Sequence, residues 1–143
     1  MINLQTNIFI GTPHDLQNII HSINYVFNCS TNLNNLINHP NYINLNINNF
    51  SFETLQYLIN LSDFIYQKTL LNQNIFILCE NGIGSSLIIG MFYIMKCYNL
   101  DYNYVYTYIS KIYSINHYDF YAGLKYFEPY IIKNTFGEKM DCS

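Results

Sequence analysis

A chain of 143 residues has the length of one domain that can bury a core of its own. Half of its residues are hydrophobic and only 10% are charged, which excludes an intrinsically disordered chain. The net charge of -3 gives no basic surface for nucleic acid or anionic lipid, and all the cationic side chains are lysines, so arginine is absent. We expect residues 1–136 to form one domain and residues 137–143 to form a flexible tail.

The sequence gives no sign of a metal site, a cofactor, a membrane span or an export signal. The longest apolar run, residues 87–95, is too short to cross a bilayer, and residues 1–11 lack the basic and apolar regions of a signal peptide. The cysteines lack the close spacing of zinc ligands; they are Cys29, Cys79, Cys97 and Cys142. We therefore expect an intracellular, cytoplasmic protein that binds neither membrane nor nucleic acid.

In the first half of the chain, short apolar strands alternate with amphipathic helices. Residues 7–10 and 25–29 are apolar runs that predict strands, and residues 12–23 between them predict a helix with Thr12 as its cap. Residues 42–47 alternate polar and apolar side chains, which predicts a third strand with one buried face. Ser51 is then the predicted cap of a helix that ends near Leu71.

In the second half, the strand predicted over residues 75–78 is apolar at all four positions, which is typical of a strand buried on both faces. A glycine-bearing loop follows, and then an apolar helix that starts at Ser85 or Ser86. Tyrosines alternate over residues 102–108 as in a strand, but Val105, Ile109 and Ile112 have helical spacing, so we predict a helix there and another over residues 119–133. This order predicts an α/β fold with a central, mostly parallel sheet flanked by helices.

Cys79 directly follows the central strand, at the sheet edge where α/β folds bind their ligands. Gly82 and Gly84 allow the loop to point several backbone N–H groups at one place, beside a helix N-terminus. The positive end of that helix favours thiolate over thiol. The stretch therefore predicts an oxyanion site with a cysteine nucleophile for phosphate.

On these residues the chain resembles the dual-specificity phosphatases of the cysteine-dependent protein tyrosine phosphatase superfamily over almost its full length. The family's loop reads His-Cys, five residues, then Arg-Ser or Arg-Thr. Residues 8–11 and 23–28 also resemble the family's opening strand and its Ile-Thr-His-Val-Leu-Asn strand. The resemblance implies a dual-specificity phosphatase-like fold whose phosphate-binding turn corresponds here, after Leu78, to Cys79, Glu80, Asn81, Gly82, Ile83, Gly84, Ser85 and Ser86.

Three positions depart from what the resemblance implies. Ser85 replaces the arginine that grips the phosphoryl oxygens, Leu78 replaces the histidine before the nucleophile, and Asn49 replaces the aspartate general acid, or Asn48 if the alignment shifts by one. Loss of a charged clamp costs on the order of 10³–10⁵ in rate. Loss of a general acid costs roughly 10²–10⁴. We therefore expect a pseudophosphatase that is not an enzyme, and that binds or scaffolds a protein partner, phosphorylated or not.

Two alternatives remain open. One is a slow phosphatase that uses Cys79 with Ser85 and Ser86 as neutral donors, and the other is a structural protein that forms a homodimer, as several small phosphatases do. Resemblance to the regenerating-liver type of phosphatase also implies a reversible disulfide between Cys29 and Cys79. The alternative is that these two thiols never meet.

Overall fold

The computed structural model describes residues 1–29, 38–45, 52–78, 85–112 and 118–132. The strands in these ranges are β1 (Ile2–Gln5), β2 (Ile8–Gly11), β3 (Tyr25–Asn28), β4 (Tyr42–Asn44) and β5 (Ile75–Leu78). The helices are α1 (Pro13–Ile19), α2 (Phe52–Leu70), α3 (Ser85–Tyr98), α4 (Tyr102–Ile112) and α5 (Tyr118–Ile131), and a 3₁₀ turn over Ile20–Ser22 follows α1. The predicted tail at 137–143 lies outside the described residues.

The five strands form one sheet in the order β1-β2-β5-β3-β4. Strand β5 lies at its centre and pairs in parallel with both β2 and β3, and β3 pairs in parallel with β4. Only the pairing of β1 with β2 is antiparallel among these strands. The predicted α/β class with a mostly parallel central sheet is therefore confirmed.

Side chains of β5 alternate between two cores, which explains why all four are apolar. Ile75 and Ile77 belong to the large core that contains residues of α2, α3, α4 and α5. Phe76 and Leu78 point to the other face, where they pack with Leu16 of α1. Since burial of such a side chain contributes roughly 1.5–3 kcal/mol, this strand is a principal source of the fold's stability.

Helix α3 lies directly against β1 and β2. A Cβ atom at Gly90 would come within 2.7 Å of a methyl carbon of Leu4 and 3.0 Å of one of Ile10, so the absence of a side chain permits the close approach. The helix is buried from Ser86 to Met95. This packing fixes where α3 begins relative to the end of β5.

The structure corrects three details of the predicted elements. Strand β1 was not predicted, because four residues of alternation are too short a signal. Helix α1 ends at Ile19, so Ile23 lies beyond it. Ile43, predicted to face inward, is 36% exposed because β4 is the edge strand. The predicted helix over the alternating tyrosines is confirmed, with Val105 and Ile109 buried.

Candidate active site at the carboxyl edge of the sheet

The predicted cysteine loop lies between two described elements. Strand β5 ends at Leu78, whose side chain is fully buried, and α3 begins at Ser85. The strand and the helix that flank the loop are therefore in the predicted order. Cys79 to Gly84 and the predicted acid positions Asn48 and Asn49 lie outside the described residues, and for Ser85 the structure describes the backbone alone.

The carboxyl ends of three strands meet at Leu78. Its register partners are Gly11 at the end of β2 and Asn28 at the end of β3. The backbone N–H of Cys29 donates to the Leu78 carbonyl at 2.7 Å. Because Cys79 is bonded to Leu78, this edge of the sheet is the one that carries the predicted nucleophile.

Cys29, half-buried, is thus hydrogen-bonded to Leu78, the residue that precedes Cys79 in the sequence. It also lies near Tyr57 on α2: burial raises the pKa of the Tyr57 hydroxyl, and the charge of Cys29 raises that pKa further. Since Cys79 is outside the described residues, the disulfide between Cys29 and Cys79 stays a prediction.

Asn28 is a residue of this edge whose importance the sequence analysis missed. Its side chain is fully buried and donates from Nδ2 to Oδ1 of Asn44 at 2.9 Å, which joins the ends of β3 and β4. Tyr42 lies beside it: burial raises the pKa of the Tyr42 hydroxyl, and a hydrogen bond with Asn28 opposes that rise. The sequence signal that could have indicated this role is a polar residue at the end of an apolar strand. An amide that is buried there needs a hydrogen-bond partner.

Asp15 is a carboxylate at the same edge, four residues after Gly11. It accepts from the backbone N–H and the hydroxyl of Thr12, both at 3.0 Å, and Thr12 Oγ1 accepts from the Asp15 N–H at 3.3 Å. The backbone hydrogen bond from Thr12 lowers the pKa of Asp15 below its usual value. Asp15 therefore caps α1 and is poorly suited to donate a proton.

Ser86, in the first turn of α3, is fully buried. Its position two residues beyond Gly84 places it at the helix N-terminus that the predicted oxyanion site requires. Of the predicted loop and its supports, the structure describes Leu78, Ser86 and Cys29, and it joins Cys29 to Leu78 by a backbone hydrogen bond.

Neither a metal cluster nor a bilayer span is found in the described ranges. They contain no group of three His, Cys, Asp or Glu side chains close enough to hold a metal ion. Nor does any helix within them combine the length and apolarity that a bilayer span needs.

Known structures share this fold. A human tyrosine phosphatase-like serine/threonine/tyrosine-interacting protein matches 90% of this chain with 95% of its own, at 17% identity and a TM-score of 0.70. For a leucine rich repeat and phosphatase domain containing protein from Entamoeba histolytica, the match covers 97% of this chain and 93% of the other, with 17% identity and a TM-score of 0.72. For the PTP-2 phosphatase of Cydia pomonella, the match covers 85% of each chain, with 14% identity and a TM-score of 0.66. A search of curated protein sequences gives no match.

The family comparison corrects the expectation about activity. Residues 8–129 match the family described as dual specificity phosphatase, catalytic domain, which covers the predicted nucleophile and both predicted acid positions. The expectation that the chain is not an enzyme is therefore wrong, because it weighed three substitutions and not the whole domain that surrounds them. The match confirms the resemblance, and the chain belongs to the dual-specificity phosphatase family.

Proposed function

We propose that this protein is a slow cysteine-dependent phosphatase that uses Cys79 without the usual arginine. The observation that carries the proposal is the match to a phosphatase catalytic domain over residues 8–129, with Cys79 directly after the buried strand β5. The fold supports it, since β5 and α3 flank the loop in the order that a phosphate-binding turn requires.

The proposed reaction has two steps. The Cys79 thiolate attacks phosphorus, an S–P bond forms, and the P–O bond to the leaving group breaks with its electron pair on oxygen. Water then attacks the phosphocysteine and gives its proton to a phosphate oxygen or to solvent. The S–P bond breaks with its electron pair on sulfur, so inorganic phosphate leaves and the thiolate is restored. In both steps, backbone N–H groups and neutral hydroxyls such as that of Ser86 stabilise the phosphoryl oxygens.

The substitutions determine how fast this reaction runs. With Ser85 at the clamp position, no guanidinium neutralises the phosphoryl charge, at a cost on the order of 10³–10⁵ in rate. With Asn49 at the acid position, the leaving oxygen departs unprotonated, at a cost of roughly 10²–10⁴. The two costs need not add fully, because residues that act as a unit are not additive.

Substrate preference follows from the missing acid. Since Asn49 cannot protonate the leaving oxygen, the substrates should be esters whose alcohol is stable as an anion. Aryl phosphates, including phosphotyrosine, meet this condition far better than alkyl phosphates such as phosphoserine. We therefore propose phosphotyrosine-like substrates.

A second proposed role is binding of a protein partner. A slow enzyme releases its phosphorylated substrate more often than it converts it, so binding can be its main effect. A structure similar to this chain is a tyrosine phosphatase-like protein described as serine/threonine/tyrosine-interacting. The partner is a phosphorylated protein in this proposal, and a second copy of the chain is the alternative partner. Light scattering of the purified protein distinguishes the homodimer from the monomer.

The test of the proposed activity is hydrolysis of p-nitrophenyl phosphate and phenyl phosphate by the unmodified protein, Cys79→Ser and Cys97→Ser. We expect low, saturable turnover that is faster on the nitrophenyl ester and is lost in Cys79→Ser. Cys97 is the matched control, because it lies on α3 with its Sγ 3.7 Å from the Ser62 carbonyl, away from the site. Turnover that survives in Cys79→Ser, or no turnover above buffer, contradicts the proposal.

A further inference from the structure

A pocket of about 480 Å³ opens at the amino edge of the sheet. The β1–β2 turn forms one side of it, and residues of α2, α3 and α4 form the other. The Asn7 carbonyl in this turn accepts a hydrogen bond from the N–H of Ile75, the first residue of β5. Cys79 follows Leu78, the last residue of the same strand. Because four strand residues span roughly 13 Å, the pocket and the candidate active site are separate.

Three tyrosines from three different helices form the walls of this pocket. They are Tyr66 of α2, Tyr98 of α3 and Tyr108 of α4, and they are 38%, 47% and 49% exposed. Aromatic rings that remain half-exposed offer apolar contact area to a ligand at low entropic cost. None of the described lining residues carries a charge, so the pocket suits a neutral ligand rather than a phosphorylated or acidic one.

Several residues that line the pocket have hydrogen-bond donors that bond to no other residue in the described part of the chain. The Tyr98 hydroxyl donates to Gln5 Oε1 at 3.4 Å. The amide N–H groups of Gln5 donate to no residue in the described ranges. The hydroxyls of Tyr66 and Tyr108 form no hydrogen bond with any residue in the described ranges. Asn7 differs, since its amide already donates to the Thr69 carbonyl at 3.4 Å.

Aromatic walls, free donors and the lack of charge together specify the ligand. A proline-rich segment in the polyproline II conformation presents apolar rings and backbone carbonyls that are not bonded within the helix. Its prolines have no N–H, so it needs donors and offers only acceptors. We propose that this pocket binds a proline-rich segment of another protein.

No part of these 143 residues supplies such a segment. The chain has three prolines, Pro13, Pro40 and Pro129, and each is isolated in sequence. The proposal goes beyond the phosphatase activity and does not depend on it, because the pocket shares no lining residue with the carboxyl edge.

The test is fluorescence anisotropy with a labelled decaproline peptide and a Gly-Ser peptide of equal length. We expect saturable binding of decaproline alone, in the unmodified protein and in Cys79→Ser. Tyr108→Ala should weaken it roughly tenfold, as expected for removal of a central aromatic anchor. Tyr104→Ala is the matched control, because Tyr104 is an exposed tyrosine of α4 outside the pocket, and it should leave affinity unchanged.

A second measurement needs no variant. In the NMR spectrum of the unmodified protein, decaproline should shift the side-chain amide signals of Gln5. No saturable binding, equal weakening by Tyr104→Ala, or shifts confined to residues outside the pocket would overturn the proposal. Binding of a neutral oligosaccharide such as cellohexaose in place of decaproline would overturn it as well.

Discussion

The two edges of the sheet differ in how completely their polar side chains are hydrogen-bonded. At the carboxyl edge, Asn28 is fully buried and bonded to Asn44, and Asp15 is bonded to Thr12. At the amino edge, Tyr66 is 38% exposed and its hydroxyl bonds to no described residue. Polar groups at the first edge therefore hold the frame around the cysteine loop. At the second edge the Asn7 amide is bonded to Thr69, but the hydroxyls of Tyr66 and Tyr108 remain available to a ligand.

The largest effect should come from restoring the loop's chemistry within that frame. Ser85→Arg combined with Asn49→Asp should raise kcat/KM on an aryl phosphate by at least about a hundredfold, because a charged clamp and a proton donor return. Initial-rate kinetics check this, with the same pair of changes in Cys79→Ser as the control. A folded double variant with an unchanged rate would show that the alignment of these positions is wrong.

A smaller effect is expected where the carboxyl edge is held together. Asn28→Ala should lower the free energy of unfolding by roughly 1–3 kcal/mol, since it removes a buried hydrogen bond and leaves a void. Urea denaturation measures this. Asn41→Ala is the control, because Asn41 is exposed although its amide donates to the Asn24 carbonyl at 2.9 Å. An equal decrease in the free energy of unfolding of both variants would mean that the buried amide of Asn28 contributes no more to stability than an exposed one.

The cap of α1 should matter less, and its effect should depend on pH. Asp15→Asn should cost about 1 kcal/mol at pH 7. Because the hydrogen bond from Thr12 lowers the pKa of Asp15 in the folded state, its contribution is complete above the usual value of 3.8 and is lost as pH falls through the folded pKa.

Urea denaturation at pH 7 and pH 3 measures the difference in the free energy of unfolding between the unmodified protein and Asp15→Asn. We expect this difference to be smaller at pH 3. Asp63→Asn is the control, since Asp63 forms an exposed ion pair with Lys96 at 2.7 Å and should cost under about 1 kcal/mol. An Asp15→Asn difference that stays constant or grows at pH 3 is incompatible with a lowered pKa.

The smallest effect is expected at the amino edge. Tyr66→Phe removes a hydroxyl that bonds to no described residue, so the free energy of unfolding should change by less than about 0.5 kcal/mol. Thermal or urea denaturation checks this. A loss well above 1 kcal/mol would show that this hydroxyl supports the fold, and would erase the contrast between the two edges.

Much of the fold could be predicted because its signals are local. The four apolar residues of β5 predicted a strand buried on both faces, and the stripe of Val105 and Ile109 predicted α4 despite its alternating tyrosines. Strand β1 was missed because its four residues give too short an alternation, although only two residues separate it from its partner β2. The position of β4 at the edge, which exposes Ile43, is likewise a property of the assembled sheet.

The candidate site divides in the same way. The position of Cys79 behind β5 and the glycines of its loop are local features, and the phosphate site that they indicate stays a prediction. The framing role of Asn28 could not be predicted, because it depends on Asn44, sixteen residues later, being its neighbour in space. The expectation that the chain is not an enzyme went wrong because it rested on single positions such as Ser85, whereas the domain around them matches a phosphatase catalytic domain.

The role of Cys79 as the nucleophile is tested most directly by identifying the residue that is phosphorylated during turnover. The protein is mixed with excess p-nitrophenyl phosphate, quenched in acid and digested, and its peptides are analysed by mass spectrometry. We expect a phosphoryl group on the peptide that contains Cys79, at the cysteine itself, and none in Cys79→Ser. A phosphoryl group on any other residue, or equal turnover by Cys79→Ser, would contradict this role.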